Sequence, residues 1–280
     1  MPPAFLINVA LTGMMPRRAQ TPHVPFTADE IANDASACAD LGAAIIHVHA
    51  RDQAGQPDWR PESYARIVAA IRARRPDLIV TASTSGRLDG DVEKRGAVLD
   101  LPADLRPDMA SLTLGSLNFI DQASVNAPAT ILRLAETMKR NGIKPELEIF
   151  DLGMVNMMAV LIDKGLLDPP YYVNLMLGNI GTAQATLPHL AALMADLPRP
   201  HRCALAGIGR TQTRVCGLAA ACADGVRMGL EDNIWFDGAR TRLATNADLV
   251  ARARAMATAQ ERPVATPAEV RTMLALAPST

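Results

Sequence analysis

His47 and His49 stand two residues apart in the run Ile45-Ile46-His47-Val48-His49-Ala50-Arg51-Asp52. The apolar, β-branched residues around them read as a buried strand. On a strand, positions i and i+2 share one face with Cα atoms about 6.6 Å apart. Two imidazole nitrogens can then converge on one cation at about 2.1 Å each. Gly55 and Pro57 follow, which puts the pair at the carboxyl end of the strand, beside a loop. The pair alone also suits a core hydrogen bond and a turn cap, so the metal reading needs a third ligand.

The third ligand comes from Gly225-Val226-Arg227-Met228-Gly229-Leu230-Glu231-Asp232-Asn233. Arg227 and Glu231 alternate with Met228 and Leu230 and share a strand face. Buried charge is costly unless it is paired or bound to metal. The stretch therefore reads either as a structural Arg–carboxylate pair or as the source of a metal ligand. With the histidines, Glu231 completes a two-His-one-carboxylate set that leaves positions open for substrate.

Glu146 and Glu148 share a face of Pro145-Glu146-Leu147-Glu148. Two inward carboxylates raise each other's pKa unless a cation or hydroxyl intervenes. Pairing with Arg227 and an acid–base role both remain open. Ser83 and Ser111 fall at strand ends, where a hydroxyl donates to a substrate carboxylate or simply forms a turn. No base stands beside either, which argues against a serine nucleophile. Gly207-Ile208-Gly209-Arg210 precedes a helix starting at Thr211 and offers amides to an anion, suggesting a phosphate-bearing co-substrate.

These residues must be brought together by a common scaffold. Apolar strand-like runs at Phe5–Leu11, Ala44–His49, Leu78–Ser83, Met109–Leu114, Glu146–Phe150, Tyr172–Leu177, Cys203–Ile208 and Gly225–Leu230 alternate with helical patterns. The helices are expected at Thr27–Leu41, Pro61–Arg74, Pro128–Asn141, Val155–Lys164, Thr182–Ala195, Thr211–Cys222 and Asn246–Ala257. Eight such units predict an α/β fold, a (β/α)8 TIM barrel occupying residues 1–280 as one domain. Residues 84–108 form a longer connection with a short helix. Pro267–Leu276 is expected to be a tail helix on the outside of the barrel or on a neighbouring subunit. In this fold the strand carboxyl ends form the site, gathering Thr12, His47, His49, Ser83, Ser111, Thr113, Glu148, Gly207, Gly209, Arg210, Glu231 and Asp232.

Composition narrows the partners. Lys and Arg number 28 against 29 Asp and Glu, and no basic stripe with interleaved aromatics appears, which argues against nucleic acid. No apolar run approaches membrane-spanning length. Cys38, Cys203, Cys216 and Cys222 lack CxxC spacing and read as small core residues of a reduced, cytoplasmic protein.

With Ala10-Leu11-Thr12-Gly13, HxHxRD at His47–Asp52, Pro145–Glu148, Gly207–Arg210 and Gly225–Asn233 in view, the sequence resembles the β-keto acid cleavage enzyme family. Ser116–Phe119 and Thr245–Ala247 also fit, and the likeness runs from residue 5 to about 273. The resemblance implies a homotetramer of barrels with one Zn2+ each. It also implies conversion of a β-keto acid plus acetyl-CoA into acetoacetate plus a new acyl-CoA. By residue, it makes His47, His49 and Glu231 the zinc ligands and Asp232 the catalytic carboxylate. Arg227, Ser83 and Glu148 hold and tune that carboxylate, and Ser111 takes the place of a substrate-binding threonine. The family prototype cleaves 3-keto-5-aminohexanoate and binds its amino group with a glutamate two residues after Thr-Gly. Here that residue is Met15, preceded by Met14, so the expected substrate lacks the amino group. Arg17 and Arg18, in the same loop, are either solvated charges or anchors for a distal carboxylate. Two rival readings are a metal-dependent lyase of the 3-hydroxy-3-methylglutaryl-CoA lyase kind, which needs no acetyl-CoA, and a non-enzymatic small-acid-binding barrel.

Overall fold

The computed structural model describes residues 3–277. The eight barrel strands are β1 (Leu6–Ala10), β2 (Ile45–Val48), β3 (Ile79–Ala82), β4 (Met109–Thr113), β5 (Lys144–Ile149), β6 (Tyr171–Leu177), β7 (His201–Gly207) and β8 (Gly225–Met228). All pair in parallel with their sequence neighbours, and β1 pairs with both β2 and β8, so the sheet closes. This is the expected eightfold barrel.

Nine helices surround or cap it among the described residues: α1 (Ala28–Asp40), α2 (Pro61–Arg74), α3 (Val92–Gly96), α4 (Pro128–Arg140), α5 (Leu152–Asp163), α6 (Leu187–Asp196), α7 (Gln212–Cys222), α8 (Asn246–Ala259) and α9 (Pro267–Met273). Helix α1 shows how the chain sets a boundary. Thr27 and Glu30 form a reciprocal capping box, and Ile31, Ala32, Ala35 and Cys38 make one buried stripe. Outward residues of the strands, such as Val9, Val48, Leu147 and Leu205, join the helix stripes in the main core.

Strand alternation divides the barrel interior into layers. Leu6, Ile45, Ile79, Met109, Tyr172 and Ala204 form the apolar bottom. Above them the interior turns polar at Asn8, His47, Thr81, Ser111, Glu146, Asn174 and Arg227, all buried. His49, Ser83, Thr113 and Glu148 stand one step higher, toward the strand carboxyl ends.

Three expectations change. The tail helix α9 is not on the outside: Val270 and Leu274, both fully buried, join the bottom layer and close the amino-terminal mouth. Burial of such a side chain contributes about 1.5–3 kcal/mol, and Arg271 ties α9 to Asp108 at 2.8 Å and to the Leu78 carbonyl at 3.1 Å. Helix α6 begins at Leu187 rather than Thr182, because Pro188 fits only a first turn and Thr186 is extended. Between β4 and α4 lies an unforeseen hairpin, Leu117–Asn118 with Ala123–Ser124. All four cysteines are free. Cys38, Cys203 and Cys216 are buried as expected, whereas Cys222 is exposed because it lies in the last turn of α7. No described helix is long and apolar enough to cross a membrane.

Candidate active site

Rigid strand ends carry the site. Asn8 and Arg227 are register partners on β1 and β8, and Ala10 pairs with His47 on β2, which brings the two ends of the chain side by side. Gly13 has φ +64°, and a Cβ there would meet Glu231 Cγ at 2.6 Å, so glycine lets the first loop lie against the carboxylate.

His47 Nε2 lies 3.2 Å from His49 Nε2, and His49 Nε2 lies 3.1 Å from Glu231 Oε1. Glu231 Oε2 is 3.7 Å from His47 Nε2. Three donors on a tetrahedral cation with bonds of about 2.1 Å would stand about 3.4 Å apart. The observed separations, measured to one or the other Glu231 oxygen, bracket that value, and Glu231 Oε2 is buried without a hydrogen-bond partner. Burial pushes the His49 pKa down, keeping its imidazole neutral as a ligand must be. The donor set therefore fits a divalent metal.

Behind His47 stands Glu146, whose Oε2 accepts from Nδ1 at 2.6 Å. This fixes the tautomer with the Nε2 lone pair facing the triangle. Asn8 at 2.5 Å and Asn174 at 2.7 Å donate to the other oxygen. Burial opposes charge on Glu146, yet His47, Arg227 and the Asn8 amide hold its pKa below the ordinary value. Glu146→Gln should weaken metal affinity about 10- to 100-fold. Competition against a chromophoric chelator measures this, and an unchanged affinity would remove Glu146 from the role.

Arg227, 1 % exposed, ties the carboxylates together. It donates to Glu148 Oε1 at 2.8 Å and Glu231 Oε1 at 3.1 Å, and approaches Asp232 Oδ2 at 3.5 Å. Thr113 donates to the second Glu148 oxygen at 2.7 Å. Asp232 accepts nothing closer. Its burial, together with Glu231 and Glu148 and against the pull of Arg227, pushes its pKa up to about 7.

A cavity of about 380 Å³ opens above these groups. Met15, His49, Ser83, Thr113, Glu148, Gly209, Arg227, Glu231 and Asp232 line it, as the strand-end rule anticipates. Thr12, Ser111, Gly207 and Arg210 do not. Thr12 is buried and donates to the Pro25 carbonyl at 3.0 Å. Ser111 is buried and accepts from Thr84 N at 3.1 Å. The 207–210 loop lacks the row of free amides expected of an anion cradle. Ile208 N bonds Leu177, Thr211 N bonds Ile208, and Gly209 N bonds the Asp232 carbonyl at 2.8 Å. That loop positions Asp232 instead. The Arg210 side chain is exposed.

Two arginines act as clamps. Arg51 donates to the carbonyls of Gly13, Gly55 and Pro16, fixing the loop that carries Met14 and Met15. Arg95 donates to Thr84 O at 2.8 Å and Asn126 Oδ1 at 2.6 Å, fixing the loop after β3. Asn8, Asn174, Arg87 and Arg95 escaped the sequence reading. Asn8 was visible in principle as an inward polar residue inside an apolar strand. Arg87 lies in a loop, and Arg95 lies in α3, a helix of five residues too short to show periodicity.

Residues 4–276 match the family model described as beta-keto acid cleavage enzyme. A 3-keto-5-aminohexanoate cleavage enzyme of Acetoanaerobium sticklandii is 33 % identical over 273 residues, covering 97 % of this chain and 98 % of that one. A 3-oxoadipate:acetyl-CoA acetyltransferase of Cupriavidus necator is 35 % identical over 274 residues, covering 97 % and 94 %. In fold, the chain is similar to the binary complex of ObcA with oxaloacetate, with TM-score 0.82, 22 % identity, and coverage of 92 % of this chain and 68 % of that one.

Proposed function

The chain belongs to the beta-keto acid cleavage enzyme family, and we propose that it exchanges acyl groups between a β-keto acid and acetyl-CoA, giving acetoacetate and a new acyl-CoA. The observation that carries this reading is the convergence of His47, His49 and Glu231, with His49, Glu231 and Asp232 lining one cavity. His47, His49 and Glu231 would hold Zn2+. When bound, such a cation supplies Lewis acidity that favours loss of a proton from C2 of the keto acid.

The protein's own groups account for the remaining steps. The Asp232 carboxylate takes the C2 proton, and Ser83 Oγ donates to the substrate carboxylate. The C2 carbanion bonds to the thioester carbonyl carbon of acetyl-CoA, and the CoA thiolate leaves. That thiolate then attacks the original keto carbon. The bond from this carbon to C2 breaks, and C2 recovers the proton from Asp232. Arg227 and Glu148 keep the basicity of Asp232 where it can both accept and return a proton.

Incubating the holoenzyme with a panel of β-keto acids, with and without acetyl-CoA, and following acyl-CoA by mass spectrometry tests the reading. Cleavage that proceeds without acetyl-CoA would favour a lyase. Met15 lines the cavity where an ammonium-bearing substrate would need a carboxylate. Met15→Glu should therefore shift the kcat/KM ratio of 3-keto-5-aminohexanoate to 3-oxohexanoate toward the amine by about 10-fold or more. A wild-type preference for the amine would remove Met15 from the acyl pocket. We further propose a cytoplasmic homotetramer. The exposed side chains of Ile120, Val125, Ile180 and Leu187 are apolar surface that assembly would cover, and sedimentation analysis checks the state.

A further inference from the structure

We propose that Arg87 binds a carboxylate at the far end of the acyl chain, so that the preferred substrate is a β-keto dicarboxylic acid. This rests on the acyl-exchange reading above and names the substrate class within it.

Arg87 lines the same cavity as His49, Glu231 and Asp232, and its side chain is half-buried. Its guanidinium lies 3.8 Å from the centroid of the Phe119 ring, which Phe150 braces edge-on at 6.1 Å. The backbone beneath it is fixed from two sides. Gln122 donates to the Arg87 carbonyl at 2.8 Å, and Thr84, three residues earlier, is held by Ser111 and Arg95.

For all that support, the charged end has no partner. Among the described residues no carboxylate lies within ion-pair distance of Arg87, and its buried Nε has no hydrogen-bond acceptor. Asp121 also lines the cavity but is exposed and beyond that distance. Burial pushes the Arg87 pKa down, against the more distant pull of Glu231 and Asp121. A planar, five-donor fork held rigidly in a cavity is suited to bidentate capture of a carboxylate. The arginines that sequence alone nominated for this task are elsewhere. Arg18 is paired with Glu30 at 2.6 Å, and Arg17 is exposed and absent from the cavity wall.

A matched pair tests the proposal: 3-oxoadipate and 3-oxohexanoate, which differ only in a terminal carboxylate or methyl. The wild-type holoenzyme should favour 3-oxoadipate in kcat/KM. Arg87→Met should lower that selectivity ratio by about 10- to 150-fold, the range of a charge-assisted hydrogen bond, with the loss mainly in KM for the keto acid. Arg87→Lys, keeping charge without the fork, should fall between. An unchanged ratio in Arg87→Met, or a wild-type preference for 3-oxohexanoate, overturns the proposal. So does a rise in KM confined to acetyl-CoA, which would assign Arg87 to a phosphate of the carrier. Should neither acid yield acyl-CoA, the acyl-exchange reading fails separately. Calorimetric binding of 3-oxoadipate, and its weakening in Arg87→Met, then still decides the role of the arginine.

Discussion

Asp232→Asn is expected to leave the metal content unchanged and to lower kcat by about 10²- to 10⁴-fold, the scale of lost general base catalysis. Asparagine keeps the size of aspartate, and the backbone bond from Gly209 N to the residue-232 carbonyl does not depend on the side chain. Glu148 is the competing base, but both of its oxygens are engaged, one by Arg227 at 2.8 Å and the other by Thr113 at 2.7 Å. Asp232 has only the long 3.5 Å approach of Arg227 Nε and faces the cavity. Its pKa, up to about 7, suits a group that must give the proton back. Steady-state turnover together with elemental analysis decides the matter. Near-normal turnover would move the base to Glu148.

The barrel was legible because eight continuous apolar strand runs alternate with helical stripes, and local pattern is what a strand or helix records in sequence. The candidate metal triangle was legible for a narrower reason: His47 and His49 share a strand face, and Glu231 follows the strand that closure places beside β1. What stayed hidden depends on contacts across the barrel. Nothing near Glu146 in the chain signals that it meets His47, 99 residues away. The 207–210 loop shows the same limit from the other side. Its glycines suit an anion cradle, and only the fold shows that amides of the loop are already bonded, that of Gly209 to the Asp232 carbonyl. Thr12 and Ser111 likewise carry hydroxyls at the right height but turn to backbone partners. Helix α9 was misplaced because an amphipathic stripe states that a face is covered, not which surface covers it.

The second large effect concerns the metal itself. His49→Ala removes one of three donors and should abolish stoichiometric metal binding and activity while leaving the barrel folded. His49 lies just beyond β2, in the upper polar layer, and its Nδ1 has no hydrogen-bond partner, so little else is lost with the ring. The space it vacates opens to the cavity rather than forming a sealed void, which avoids the cost of about 2–5 kcal/mol that a closed core cavity carries. His47→Ala is the less informative variant. It would strand Glu146, fully buried and bonded to Nδ1, and a broken buried pair costs about 3–5 kcal/mol. Loss of metal there would be confounded with loss of fold. The measurement is therefore elemental analysis of purified His49→Ala beside a thermal melt by circular dichroism. Wild-type metal stoichiometry in that variant would exclude His49 as a ligand. Loss of metal with a melt within a few degrees of wild type would support the triangle of His47, His49 and Glu231.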